Sequence, residues 1–380
     1  MDFERSGDQE LLFETVSRFL AERAPISPYV RDRLDDRRGT TAPVWEGLGD
    51  LGVIALLTAE SHGGAGMGMV DAAVVLEAMG RFVHPGPYLA SAIGAVSLVS
   101  LAGRPRHHDA LLPRLASGDH IGTVALWEPG RRARWHEPET RASPAGEGWR
   151  VDGTKVHVPD GYGADLLFVV AKRPEGGCGV FLVTPGTEGV TITETPTIDG
   201  TRKEATLVLD GAEAHCIGDG DTTDAIAATV DRLGVAMVID GVGAAERALE
   251  LAVEYAKERR QFDQPIGSFQ AVQHLCADML RAVELARASA YYACWACDAA
   301  DAAERHRAAT MTQAFAADSL YEVGASAIQV FGGIGFTWEH DIHLFYKRLL
   351  TLQQYAGGTI DQLEELATIV LDASSGLPGS

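Results

Sequence analysis

Along the chain the hydrophobic period changes twice. In ELLFETVSRFLAERA apolar residues recur at three- and four-residue spacing, which predicts an amphipathic helix. VWEGLGDLGVIAL leads into AESHGGAGMG, whose glycines mark a loop, and MVDAAVVLEAMGRF restores the helical period. From about residue 118 to about 217 the pattern shortens. IGTVALW, WRVDGTKVHV, ADLLFVVA, GVFLVT, VTITET and ATLVLD are rich in β-branched residues and punctuated by Gly, Pro and Asp, so they predict strands. From about 222 to 372 the helical period returns in long segments broken at DQPIGS and FGGIGFTW, which predicts a bundle. Helices, then strands, then helices is an α+β order. It divides the chain into an N-terminal helical domain at 1–117, a middle antiparallel β domain at 118–218 and a C-terminal helical bundle at 219–380.

That order disposes of two glycine motifs. FGGIGF and HGGAGMG resemble nucleotide loops, yet neither follows a strand within a βαβ unit, so Rossmann and P-loop readings fail. The length, 380 residues, exceeds what one ordinary core serves. With 46% apolar residues, disorder is expected only in the tail ASSGLPGS. A formal charge of −21 argues against a nucleic-acid surface, which needs clustered Lys and Arg. The start, MDFERSGDQELLF, is acidic where a signal peptide is basic, and no apolar run reaches the roughly 18 residues of a membrane span. A cytoplasmic location is therefore expected. Cys294 and Cys297 form a CxxC, but inside the apolar helical stretch ASAYYACWACDAAD they read as reduced core thiols rather than zinc ligands.

The most informative segment is ALELAVEYAKERRQFDQPIGSFQAVQHLCADM. A helix is expected to end near Arg260, a turn with Pro265 and Gly267 to follow, and a second helix to begin at Ser268. Arg259 and Arg260 offer guanidinium groups suited to phosphate, while Gln261 and Phe262 offer a polar edge and a flat ring. The same basic residues also suit a helix C-terminus for its dipole alone. The residues by themselves leave both readings open.

This segment resembles the flavin-contact motif of the acyl-CoA dehydrogenase family, Arg-x-x-Phe with a following Pro-Ile-x-x-Phe-Gln. AIQVFGGIGFTWEHDIHLFYKR is similar to that family's C-terminal Gln-x-x-Gly-Gly-x-Gly segment, and LGVIALLTAESHGGAGMG and WEPG match earlier stretches. Together they span nearly the whole chain in the family's order. The resemblance implies a four-helix C-terminal bundle and assembly as dimers of dimers. It also implies FAD as cofactor and an acyl-CoA thioester as substrate. A carboxylate takes the α proton, flavin N5 accepts the β hydride, and an electron-transfer flavoprotein receives the electrons. By the same resemblance Arg259, Gln261 and Phe262 would touch the pyrophosphate side of a neighbouring subunit's FAD. Gln329, Gly332 and Gly333 would lie along its adenosine part, and Thr359 matches the threonine after the catalytic position.

The departures matter as much. Where the family has Tyr-Glu-Gly-Thr this chain reads AGGT, which places Gly357 at the glutamate position, and glycine cannot accept a proton. The alternative base location used by some relatives, followed by an arginine, falls on Leu233 and Gly234. The Trp-x-Thr segment that meets the isoalloxazine ring corresponds to His157, Val158 and Pro159. The Thr-Glu-Pro-Gly run survives as Trp127, Glu128, Pro129 and Gly130, followed by RRARWHEPETR instead of a glycine-serine-aspartate stretch. Asp240, seven residues after Leu233 and on nearly the same helix face, reads either as a displaced base or as a polar group bonded to a neighbouring helix. In the second case an amide in its place should cost little stability. Asp231 reads as an N-cap or first-turn charge.

The family includes enzymes of two unlike subunits in which a competent chain is completed by a degenerate one, and this chain resembles the degenerate partner. Two alternatives stand beside it. One is a self-sufficient homo-oligomeric flavoenzyme, either using Asp240 or doing oxidase or monooxygenase chemistry. The other is a non-catalytic scaffold. The acyl group, whether fatty or a sterol side chain, is not readable from the sequence.

Overall fold

A computed structural model describes residues 5–131 and 133–375; most of the tail expected to be disordered lies outside the described residues. Six helices come first: α1 (Gly7–Arg23), α2 (Arg31–Arg33), α3 (Ala42–Asp50), α4 (Met69–Arg81), α5 (Val96–Ala102) and α6 (Pro105–Ala116). Among the described residues seven strands follow, then five helices with one short two-stranded hairpin between the first two, so the α+β order expected from the patterning is the one observed. No helix among the described residues is long and apolar enough to cross a membrane. The chain divides into two compact units. One comprises Met1–Ile26, Ala73–His84 and Gly234–Ser380, the other Ser27–Ala72 and Pro85–Leu233.

The strands β1 (Gly122–Ala125), β2 (Arg141–Ala145), β3 (Gly148–Pro159), β4 (Leu166–Lys172), β5 (Cys178–Val183), β6 (Val190–Thr195) and β7 (Glu204–Ile217) lie in one sheet. Its order is β1-β4-β2-β3-β7-β5, with β6 on β7 and a further β4–β5 pairing that closes the sheet on itself. Val151, Leu167, Val169, Phe181, Val183 and Leu207 fill its interior. The expectation of a wholly antiparallel region needs correction. β1 runs parallel to β4 from Gly122↔Leu166, and β2 meets β4 in parallel at Arg141↔Lys172. The β2–β3 hairpin intervenes in sequence, so the chain returns to β4 in the original direction. β2 itself, RASPA, escaped the pattern because it holds Pro144 and is mostly exposed.

In the other unit the long helices are α7 (Thr223–Glu258), α8 (Gln270–Ala299), α9 (Ala302–Phe331), α10 (Ile342–Gln354) and α11 (Thr359–Ser375), the first of them entering it at Gly234. Since α7 starts at Thr223, Asp231 is buried in its third turn and is neither cap nor first-turn charge. A break the composition did not announce separates α8 from α9. There the Asp301 carboxylate accepts the N–H of Glu304 at 2.9 Å, an N-cap without Gly or Pro. Gly80 and Gly243 mark backbone contact between α4 and α7. A Cβ on Gly80 would strike the Asp240 carbonyl and one on Gly243 the Glu77 carbonyl.

Candidate functional site

Two of the motifs meet at one end of the bundle. The Tyr255 ring, in the last turn of α7, stacks on Phe331, the last residue of α9, with centroids 4.4 Å apart. Phe331 in turn packs against His340 at 4.2 Å. The N–H of Arg259 donates to the Tyr255 carbonyl at 2.8 Å, so Arg259 sits one turn beyond the stack, while Gly332 follows it directly. The segments 259–262 and 329–333 are thus fastened to one point.

Beyond Arg259 the chain makes a small hairpin, β8 (Arg260–Gln261) against β9 (Gln264–Pro265). Its loop residues Phe262 and Asp263 have φ of 52° and 64°, the left-handed pair a two-residue hairpin demands, here without glycine. This turn throws the Phe262 ring outward, 87% exposed. Arg260 donates to the Asp263 carbonyl at 2.6 Å and closes the turn, so of the two arginines it is the one used locally. The Arg259 guanidinium is exposed and has no hydrogen bond or ion pair among the described residues. The expected start of the next helix at Ser268 is a tight turn, Ile266–Ser268, with α8 beginning at Gln270.

At the other segment Gly332 has φ 64°, and an added Cβ at Gly332 or Gly333 would meet nothing within 4 Å. Their backbone is therefore open to another molecule. Gln329 is exposed, and Phe336 beyond it is 77% exposed. A free guanidinium, bare glycine backbone and outward aromatic rings suit an extended dinucleotide carrying phosphates, so the residues present fit FAD.

At the segment that resembles the family's Tyr-Glu-Gly-Thr, α10 ends at Gln354 and a turn follows. Ala356, Gly357 and Gly358 have φ of 51°, 101° and 87°, three successive left-handed residues. A Cβ on Gly357 would run into the carboxylate of Asp361, in the first turn of α11. Thr359 donates to the Asp318 carboxylate at 2.7 Å, as does the Gln353 amide at 2.8 Å, which ties the start of α11 to α9. At the alternative location Leu233 is buried, and a Cβ on Gly234 would run into the Gln313 carboxamide. Neither position offers a carboxylate, and neighbouring polar groups crowd both glycines.

Residues 6–119 match the acyl-CoA dehydrogenase N-terminal domain and residues 223–370 the acyl-CoA dehydrogenase C-terminal domain. The chain is 32% identical to the acyl-CoA dehydrogenase IpdE2 of Mycolicibacterium smegmatis, over 95% of this chain and 98% of that one. The chain belongs to the acyl-CoA dehydrogenase family. It is also 31% identical to acyl-CoA dehydrogenase FadE27 of Mycobacterium tuberculosis, over 88% of this chain and 89% of that one. Among solved structures it is similar to the ChsE4-ChsE5 complex from Mycobacterium tuberculosis, with a TM-score of 0.89, 28% identity and 100% of both chains covered.

For a member of this family the remaining acid, Asp240, is spoken for. Nη1 of Arg348 reaches both of its carboxylate oxygens, at 3.0 and 2.9 Å, and Nη2 donates to the His84 carbonyl at 3.3 Å. Both side chains are buried, so Asp240 links α7 to α10. The pairing also corrects the expectation that an amide here costs little, because an amide would leave a buried guanidinium uncompensated.

The segment that corresponds to the family's Trp-x-Thr also has its own arrangement. A register shift in β3 between Lys155 and Val158 puts His157 at φ 52°, and its Nδ1 lies 2.6 Å from Glu204. Pro159 offers only its carbonyl, which accepts the Thr123 hydroxyl at 2.5 Å. Glu128 of WEPG has an internal task. It accepts from Lys155 at 2.7 Å and from the N–H groups of Glu139 and Thr140 at 2.6 and 2.9 Å, which ties Glu128 to the start of β2 and to β3. Burial pushes Lys155 down to about 8 despite the opposing pull of Glu128. Arg132, in the segment that replaces the glycine-serine-aspartate stretch, lies outside the described residues.

Proposed function

We propose that this chain takes part in FAD-dependent α,β-dehydrogenation of an acyl-CoA thioester by completing the flavin site of a homologous partner subunit, without proton-abstracting chemistry of its own. The observation that carries this is a contrast within one unit. The Arg259 guanidinium, the Phe262 ring, Gln329 and the backbone at Gly332 and Gly333 are exposed or open, with Gln261 beside them donating to the Arg260 carbonyl at 2.8 Å, while the base position is a glycine crowded by Asp361. Bound FAD would supply the hydride acceptor. Arg259 would hold a phosphate, the open backbone at Gly332 and Gly333 would lie against the adenosine part, and Phe262 would cover the cofactor's outer side. The partner would contribute the carboxylate, and an electron-transfer flavoprotein would accept the electrons. Similarity to ChsE4-ChsE5, a complex of two named chains, supports an assembly of unlike subunits.

The test is to purify the chain alone and together with homologous acyl-CoA dehydrogenase chains that keep the glutamate. The lone chain should be colourless, and a co-purified pair should carry flavin and turn over acyl-CoA. A stoichiometric flavin absorption band on the lone chain that bleaches with acyl-CoA would instead make it the self-sufficient enzyme.

A further inference from the structure

Helix α11 is apolar on two faces. Leu366 and Ile369 are half-buried on the side toward α9, to which α11 is tied by Thr359–Asp318 and by His306–Glu365 at 3.2 Å. Ile360, Leu363, Ala367, Val370 and Leu371 are exposed, Ile360 at 74% and Leu371 at 66%. At about 100° per residue these five fall within an arc of roughly 100°. That is a stripe with the i, i+3, i+7, i+10 spacing of a helix seam. Its edge is acidic. Glu364 borders the stripe, with Asp361 and Glu365 further round, and residues 349–380 contain four acids and no Lys or Arg.

We propose that this stripe docks an apolar surface edged by Lys and Arg on an unlike chain, not a second copy of itself. The inference rests on the proposed function for the existence of a partner and adds where and by what chemistry it is held. A twofold interface sets a patch against itself, so two copies meeting here would face Glu364 and Asp361 toward the same acids. Each copy also carries a net charge of −21. Like charges across an interface select against that pairing, whereas basic residues flanking an apolar stripe complement it, as charged edge positions set partner choice in helix seams.

The probe is a pair of helical peptides as long as α11, 17 residues, with identical leucine stripes, one flanked by lysine and the other by glutamate. The full chain should bind the lysine peptide at least about tenfold more tightly, with the preference shrinking as salt rises. Leu363→Ser with Val370→Ser, both on exposed positions, should abolish binding without changing thermal unfolding. Equal binding of the two peptides, or of neither, overturns the proposal. So does a wild-type dimer that the double variant converts to monomer, because a second copy would then cover the stripe. If the double variant still assembles a flavin-bearing complex with a homologous chain, this inference falls while the proposed function stands.

Discussion

Tyr255 and Phe331 stack at 4.4 Å with their planes 26° apart, and this contact holds the end of α7 to the end of α9. Each of the two segments proposed to face FAD lies within a turn of it. Phe331 is buried, so Phe331→Ala should cost about 3–5 kcal/mol by cavity formation. Phe331→Leu should cost less. Denaturant unfolding of the two variants measures this. A cost for Phe331→Ala within experimental error would mean that the stack does not fix the spacing of the two segments.

Restoring a glutamate at position 357 should not restore an enzyme. Gly357→Glu must adopt φ near 101° and displace the Asp361 carboxylate, a local strain of about 1–3 kcal/mol. Expected are a lower Tm and no acyl-CoA-dependent bleaching at this chain's own site. Turnover by the lone variant would show that only the side chain was missing.

Asp240→Asn should behave as a broken buried ion pair. Removing one partner of such a pair costs about 3–5 kcal/mol, and the buried Arg348 guanidinium would keep its charge opposite a neutral amide. Any loss of complex activity should follow the loss of folded protein. A variant of normal stability and flavin content whose turnover falls a thousandfold would make Asp240 a base.

Acid should weaken the unit that holds Glu77. This carboxylate is buried against Arg5 at 2.9 Å, Arg287 at 3.0 Å and the Tyr291 hydroxyl at 2.8 Å. Burial alone would raise its pKa, but Arg287 and Arg5 outweigh burial and hold it below the usual carboxylate range. A depressed pKa contributes stability that is complete above the ordinary glutamate value, about 4.3. That stability is lost as pH falls through the lower folded value. Unfolding free energy should therefore drop below about pH 4, and Glu77→Gln should flatten that part of the profile while being less stable at neutral pH. An unchanged profile in the variant would remove Glu77 as its source.

The α+β order was legible because the hydrophobic period itself changes at the strand region, and the family was legible because the motifs that carry the resemblance are short and contiguous. Other features depend on residues far apart in sequence. The Lys155–Glu128 pair spans 27 positions, and Asp240–Arg348 spans 108. The parallel β1–β4 pairing depends on where the intervening hairpin returns the chain. The glycine at 357 could be read directly, but its crowding could not, because that follows from three consecutive left-handed residues and the direction of one carboxylate. Asp301 ended α8 by capping α9, a signal of D-x-x-E that an alanine-rich run conceals.

The most direct test of flavin completion is Arg259→Ala made in this chain alone and assembled with a homologous chain that keeps the glutamate. Loss of a charge-assisted phosphate contact costs about 1.5–3 kcal/mol, so the complex should release FAD about ten- to a hundredfold more readily on dilution, with assembly unchanged. Unchanged flavin retention would reduce Arg259 to a helix-end charge and contradict the account.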